Sequence, residues 1–320
     1  MNKILTVFVV VVCIVVWYLF QRAYRTFLHT YFVQEDTIVY DFFMKHFIQV
    51  VSEGNYFMNY GLWEEGCTTL ADANRRLVEF LFEKTGLHRG THQRLLDVGC
   101  GYGVQDTVWA QAMDASNHLT AIDISPTHID YAKKTHSSFS NITYQLGDAV
   151  QLHHSFSRGE FDGVLNVESA FHYKDRATFF QSVCSVLKED GVFVISDIVL
   201  SDNDKPSLLT RMFLRIFSDF LHIPEINLIT AEEWKQLLAD AGLRVVEYID
   251  ITEKTFEPYY QHFFQVFMEK KGLPSWMAKG LLSLFLTVQP FSYVVAVCRA
   301  PCSTSTIDSV ADTELLDKKN

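Results

Sequence analysis

Positive charge is scarce in this chain. Its 320 residues hold 27 lysines and arginines against 38 acids, a formal net charge of -11, and nowhere do the bases gather into a stripe. Binding to nucleic acid relies on lysine and arginine neutralising phosphates, so the composition argues against DNA or RNA as partner or substrate. Paired cysteines are missing too. The six present (Cys13, Cys67, Cys100, Cys184, Cys298 and Cys302) show no recurrent spacing. That argues against a disulfide framework and against a zinc site, and it fits a reducing compartment. The adjacent His153 and His154 have no further donor at metal-ligand spacing and read as a solvated loop. Nothing visible requires a metal. Large apolar residues become few after Pro301, and 301–320 reads as a disordered tail.

What the chain does have is apolar bulk. At 48% hydrophobic content it can bury one full α/β core with attachments. Ile4 to Phe20 is an almost unbroken apolar run, as long as the shortest membrane-spanning helices. Trp17 and Tyr18 suit a membrane interface, and Arg22 and Arg25 follow as cationic anchors. A cleaved signal peptide is the rival reading, weakened by the lack of a small-x-small cleavage site. We therefore expect residues 1–25 to be a retained membrane anchor, with contact to the bilayer through residues 4–20. Charge alone does not orient it, because Lys3 and the amino terminus nearly balance the two arginines.

The core begins with Arg94-Leu-Leu-Asp97-Val-Gly99-Cys100-Gly101-Tyr-Gly103. Two leucines and a valine read as a buried parallel strand, with an acid at its carboxyl end and glycines at alternate positions. Glycines there let the backbone turn sharply and approach a ligand closely. The spacing departs from the dinucleotide fingerprint, and an acid directly ahead of the turn would repel a pyrophosphate. Leu119 to Asp123 reads as a second strand ending in an acid, Ile142 to Asp148-Ala149 as a third, and Phe161 to Glu168 as a fourth running into a polar loop. Leu187 to Asp197 reads as a helix end, a glycine turn and a fifth strand. Thr230-Ala-Glu-Glu-Trp starts a helix ending at Gly242, followed by a sixth strand over Arg244 to Ile251 and a seventh, antiparallel, over Phe291 to Arg299.

In these elements, over about residues 55 to 300, the chain resembles the class I S-adenosylmethionine-dependent methyltransferases. The Tyr60-Gly61-Leu62-Trp63 segment and the Glu168-Ser-Ala-Phe-His172-Tyr loop resemble those of the small-molecule and lipid enzymes: the tocopherol, phosphoethanolamine and sterol groups and the sugar O-methyltransferases. The resemblance implies an α/β fold with a seven-stranded, mostly parallel, doubly wound sheet, here with an N-terminal membrane helix and helical cap insertions. It divides the chain into the anchor, a helical N-terminal cap over 26–90, a methyltransferase domain over 91–300 with cap insertions near 205–229 and 254–288, and the tail.

It also implies a site. S-adenosylmethionine would be the cosubstrate, with no metal. Asp97 and the turn of Gly99, Cys100, Gly101 and Gly103 would fix its methionine part. Asp123 would hold the ribose, with Ile124 beside it, and Asp148 with Ala149 would frame the adenine. Asn166 would complete the cosubstrate contacts and open the acceptor loop. Tyr60 would offer an aromatic face to the sulfonium, since a cation is stabilised over a ring, although a plain core role is the competing reading. His172 could take a proton from an acceptor hydroxyl, with Glu168, four residues away, meeting it on one side of a helical turn and orienting the ring.

The reading is methyl transfer to a small hydrophobic or amphipathic molecule at a membrane, O-methylation first. N-methylation of an amino-lipid or phospho-base, C-methylation of an isoprenoid, quinone or sterol-like lipid, and a non-catalytic binding scaffold are the alternatives. The cosubstrate is made in the cytosol, so the catalytic domain is expected there on a single-pass membrane protein, at the endoplasmic reticulum if the source is eukaryotic.

Overall fold

The computed structural model describes residues 54–87, 90–201, 222–270 and 289–301, with scattered positions between 210 and 218 and between 279 and 286. The expected anchor and the first part of the expected N-terminal cap, to residue 53, lie outside these residues, as does the tail from 302. Among the described residues no helix is long and apolar enough to cross a membrane.

Seven strands form one sheet in the order β3-β2-β1-β4-β5-β7-β6. They are β1 (Arg94–Val98), β2 (His118–Asp123), β3 (Ile142–Leu146), β4 (Phe161–Val167), β5 (Leu187–Leu200), β6 (Arg244–Asp250) and β7 (Phe291–Arg299). Strands β1 to β5 pair in parallel, whereas β7 runs antiparallel to both β5 and β6. The antiparallel seventh strand has the ends read from the sequence. The fifth strand starts earlier than expected. Leu187 already pairs with Phe161, and the expected glycine turn survives as a bulge before the ladder resumes at Gly163 and Val192. β1, β4 and the middle of β5 are buried on both faces, which is why they read as near-continuous apolar runs.

The helices cover the sheet and owe their ends to local chemistry. α1 (Leu70–Thr85) opens on a capping box between Thr69 and Asp72 and closes on Gly86 in the left-handed region. α2 (Val104–Ala112) starts directly from Gly103. Ser125 caps α3 (Pro126–Thr135), with proline in the first turn, and Asp175 caps α4 (Arg176–Val186). α5 (Ala231–Asp240) has the Thr230–Glu233 capping box that its sequence suggests. Of the two expected insertions, the first is described only in part. The second begins as a long helix, α6 (Thr252–Lys270), whose Phe256, Tyr260 and Phe264 are buried in the core.

This topology positions the site. The chain winds outward from β1 to β3, then returns to β4 beside β1. A crevice opens at the carboxyl ends of those two central strands, where the winding reverses.

Candidate active site

The glycine turn closes the β1 side of the crevice. The amides of Gly99 and Cys100 both donate to the Ile122 carbonyl, at 2.8 and 2.9 Å, so backbone bonds tie the turn to the end of β2. Gly99 lies at φ 82° and Gly101 at φ 54°. A Cβ on Gly99 would come 2.4 Å from Ser169 Oγ and 2.8 Å from the Tyr173 hydroxyl, and one on Gly101 would come 2.7 Å from Met58 Sδ. Both positions therefore need glycine for backbone and for space.

Asp123 ends β2 half-buried. Its Oδ2 accepts from the Gly101 amide at 2.9 Å, and its Oδ1 accepts from Ser125 N–H at 2.9 Å and faces His128 Nδ1 at 3.1 Å. The acid thus holds the turn as well as standing at the rim. Ile124 is 64% exposed and Leu146 55% exposed, an apolar edge at the ends of β2 and β3 that a flat ring could cover. Asp148 accepts from Val150 N–H and Gln151 Nε2, both at 3.1 Å, and caps a short 3₁₀ turn that begins at the buried Ala149. Asp97 is fully buried, and its Oδ2 accepts from Gln105 Nε2 at 2.6 Å. Its Oδ1 is given no partner by the protein. Burial pushes its carboxyl up to about 7.

The β4 side is built from side chains. Asn166, fully buried, donates to the Val98 carbonyl at 2.8 Å and to Ser169 Oγ at 2.7 Å, and lies 3.0 Å from the Tyr173 hydroxyl. It stitches the acceptor loop to the end of β1, which spends its amide inside the protein. Glu168 sits at φ 48°, an uncommon conformation for a side chain of its size. The residues after it form a single 3₁₀ turn, Ala170–His172, rather than a helix. The expected Glu168–His172 pair is accordingly corrected. The Glu168 Oε1 accepts from the Tyr60 amide at 2.7 Å and the Tyr293 hydroxyl at 2.5 Å, and the αL turn aims the carboxylate at those donors. Burial raises it to about 8. His172 remains half-buried, with Nδ1 3.5 Å from the His222 carbonyl. Its ring lies 4.1 Å from that of Phe171.

Tyr60 packs edge-on against Phe256, Tyr259, Tyr260 and Tyr293, with centroids 4.6 to 6.4 Å apart. It joins the wall of the site to the core. His153 and His154 end the 3₁₀ segment Ala149–His154 rather than lying in a loop, and both are exposed.

Comparison with known proteins decides the family. A profile described as a methyltransferase domain matches residues 90–242. Erythromycin 3''-O-methyltransferase of Saccharopolyspora erythraea is 30% identical over 225 residues, 68% of this chain and 71% of that protein. This chain belongs to the S-adenosylmethionine-dependent methyltransferases. Among solved structures, geranyl diphosphate methyltransferase in complex with S-adenosylmethionine aligns with a TM-score of 0.60 at 17% identity, over 77% of this chain and 100% of that one. The cyclase SpnF aligns with a TM-score of 0.64 at 18% identity, over 81% and 94%. At such identities the likeness speaks for the fold, which serves more than one chemistry.

The methyltransferase uses S-adenosylmethionine as cosubstrate, and the crevice fits that molecule. The open Ile124–Leu146 edge admits an apolar ring, and the half-buried Asp123 at the end of β2 stands beside it as an acceptor for hydroxyls. Several residues of this site escape sequence reading. Tyr56, Tyr102 and Tyr131 form a ring cluster with centroids 4.9 to 5.2 Å apart beside the turn, and Tyr102 also meets His128 at 4.5 Å. Asn227 donates to the carbonyls of Phe171 at 3.2 Å and Tyr173 at 2.6 Å, on either side of His172. Only Gln105 and Asp106, next to the glycine motif, carried a signal that could have been used, as polar residues on the buried face of a helix.

Proposed function

We propose that this methyltransferase transfers the methyl group to a hydroxyl of a small hydrophobic or amphipathic acceptor, presented by the loop from Asn166 to Tyr173 with His172 as general base. One observation carries the choice of oxygen. A carbonyl can only accept, so the contact between His172 Nδ1 and the His222 carbonyl favours the neutral tautomer whose Nε2 is basic. A hydroxyl needs that base, whereas an amine need only arrive neutral. The O-methyltransferase activity named for the Saccharopolyspora relative supports the same reading.

S-adenosylmethionine supplies an electrophilic methyl group, so the protein contributes mainly alignment and exclusion of water. The glycine turn and Asp123 would set the donor against the β2 edge, with Ile124, Asp148 and Ala149 around its adenine. Asp97 and Asn166 would act on that site through the turn they brace. Glu168 would tie Tyr60 and β7 to the acceptor loop, keeping the aromatic wall closed behind the reacting atoms. The apolar run at residues 4–20 would hold this domain at a membrane, on the cytosolic face where the cosubstrate is made. That location brings a membrane-dissolved acceptor within reach.

The test is His172→Ala, assayed with acceptors found by screening lipid and small-molecule extracts. We expect turnover to fall roughly a hundredfold or more, as for loss of a general base, with partial rescue at raised pH and unchanged affinity for S-adenosylhomocysteine. Unchanged turnover would remove the base and turn the assignment toward an amine acceptor.

A further inference from the structure

We propose that Asp97 and Asp106 share a proton beneath the glycine turn, with Asp106 as the acid that keeps it and donates to Asp97, and that this bond positions the turn for the donor. Asp97 lies one residue before the end of β1 and Asp106 in the first turn of α2, so a bond between them spans the base of the loop from Gly99 to Gly103. Neither residue has any exposed surface. Asp97 gives one oxygen to Gln105. Its other oxygen meets no donor of the protein, and the Asp106 carboxyl has only the Tyr144 hydroxyl as a neighbouring donor. The two carboxyls are within hydrogen-bonding reach of each other. Such a contact is attractive only when one of them carries a proton, because two buried carboxylates in contact repel.

The neighbours say which one carries it. Gln105 donates to Asp97, which favours the anion there. Burial and the Asp97 charge hold Asp106 well above the usual carboxylate range. The other titratable groups acting on the pair are Cys100 from the turn, Asp123 from the end of β2, Tyr144 from β3 and Tyr173 from the acceptor loop. None of these is a cation that could neutralise a second charge. Tyr144 instead donates to the Gly103 carbonyl at 3.1 Å, at the point where α2 begins. An acid in a first helical turn ordinarily faces outward and meets the positive end of the helix. Asp106 points inward, and the proton is what makes that position tolerable.

The experiment is calorimetric binding of S-adenosylhomocysteine to the full chain at pH 7, beside Asp106→Asn and Asp106→Ala. An amide can donate to Asp97 as the acid does, so Asp106→Asn should bind within about threefold of the native chain. Asp106→Ala leaves the Asp97 oxygen bare and should bind about tenfold or more weakly. Two results would overturn the proposal: an alanine variant that binds like the native chain, or an asparagine variant that folds but binds as poorly as alanine. If the alanine variant does not fold, an asparagine variant that folds but binds about tenfold or more weakly than the native chain overturns it. The acceptor plays no part in this measurement, so its outcome is independent of the role given to His172.

Discussion

The two walls of the crevice are made of different material. On the donor side the turn itself bonds through its own backbone amides: those of Gly99 and Cys100 on one carbonyl, and that of Gly101 on the Asp123 carboxylate, 22 residues away. On the acceptor side nearly every bond is a side chain reaching across the chain. Tyr60 meets Glu168 over 108 residues, Tyr293 meets Glu168 over 125, and Asn227 meets Phe171 over 56. Backbone bonding tolerates almost any side chain except where glycine is required, so it suits a cosubstrate that does not vary. A wall of side chains from separate segments can change shape one residue at a time. That is how one fold serves many acceptors.

The sharpest way to break this division is at the residue where the walls touch. Gly99→Ala would place a Cβ against Ser169 and Tyr173 of the acceptor loop, at a φ that alanine adopts only with strain. With about 1–3 kcal/mol of backbone strain added to the collision, we expect S-adenosylhomocysteine binding to fall below detection by calorimetry. Retained binding would mean that the turn can reshape and is not rigidly tied to the loop.

The next largest effect belongs to Glu168 and is a matter of pH. Its carboxyl rises to about 8 in the folded protein, against an ordinary value near 4.3. A raised folded value means that proton uptake stabilises the native state in full below the ordinary range, and that this contribution is lost as pH rises through about 8. Glu168→Gln keeps an acceptor for Tyr60 and Tyr293 without a charge. Relative to the native chain it should gain stability between pH 5 and pH 9, by on the order of 3 kcal/mol. Denaturant melts at the two pH values measure it. Parallel profiles would show that Glu168 is ionised throughout.

How much of this was legible follows the same division. The strands, their order and the glycine turn could be read because each is written in a short run: apolar residues, then an acid, then glycines. Thr230 with Glu233 likewise announces a helix start within four residues. The acceptor wall has no such local record. Nothing around Glu168 signals that it turns through φ 48° toward Tyr293 instead of pairing with His172. Spacing four residues apart suggests a helical neighbour only if a helix forms, and here a 3₁₀ turn ends at His172. Nor does the run around Asp97 show that the acid is wholly buried and takes a bond from Gln105 of α2.

The smallest expected effect, and the finest test of the division, is at Asn227. Its amide donates to the carbonyls on both sides of His172, so it fixes the backbone that carries the proposed base without touching the donor wall. Asn227→Ala leaves two buried carbonyls short of a donor and should cost about 1–2 kcal/mol of stability. If the walls are energetically separate, that loss appears as slower turnover with unchanged affinity for S-adenosylhomocysteine. Asn227→Ser, which can still donate once, should recover part of the rate. A variant that loses donor affinity in step with turnover would show that strain in the acceptor loop passes through Ser169 and Tyr173 into the glycine turn. The walls would then be one mechanical unit, and Gly99 the contact that joins them.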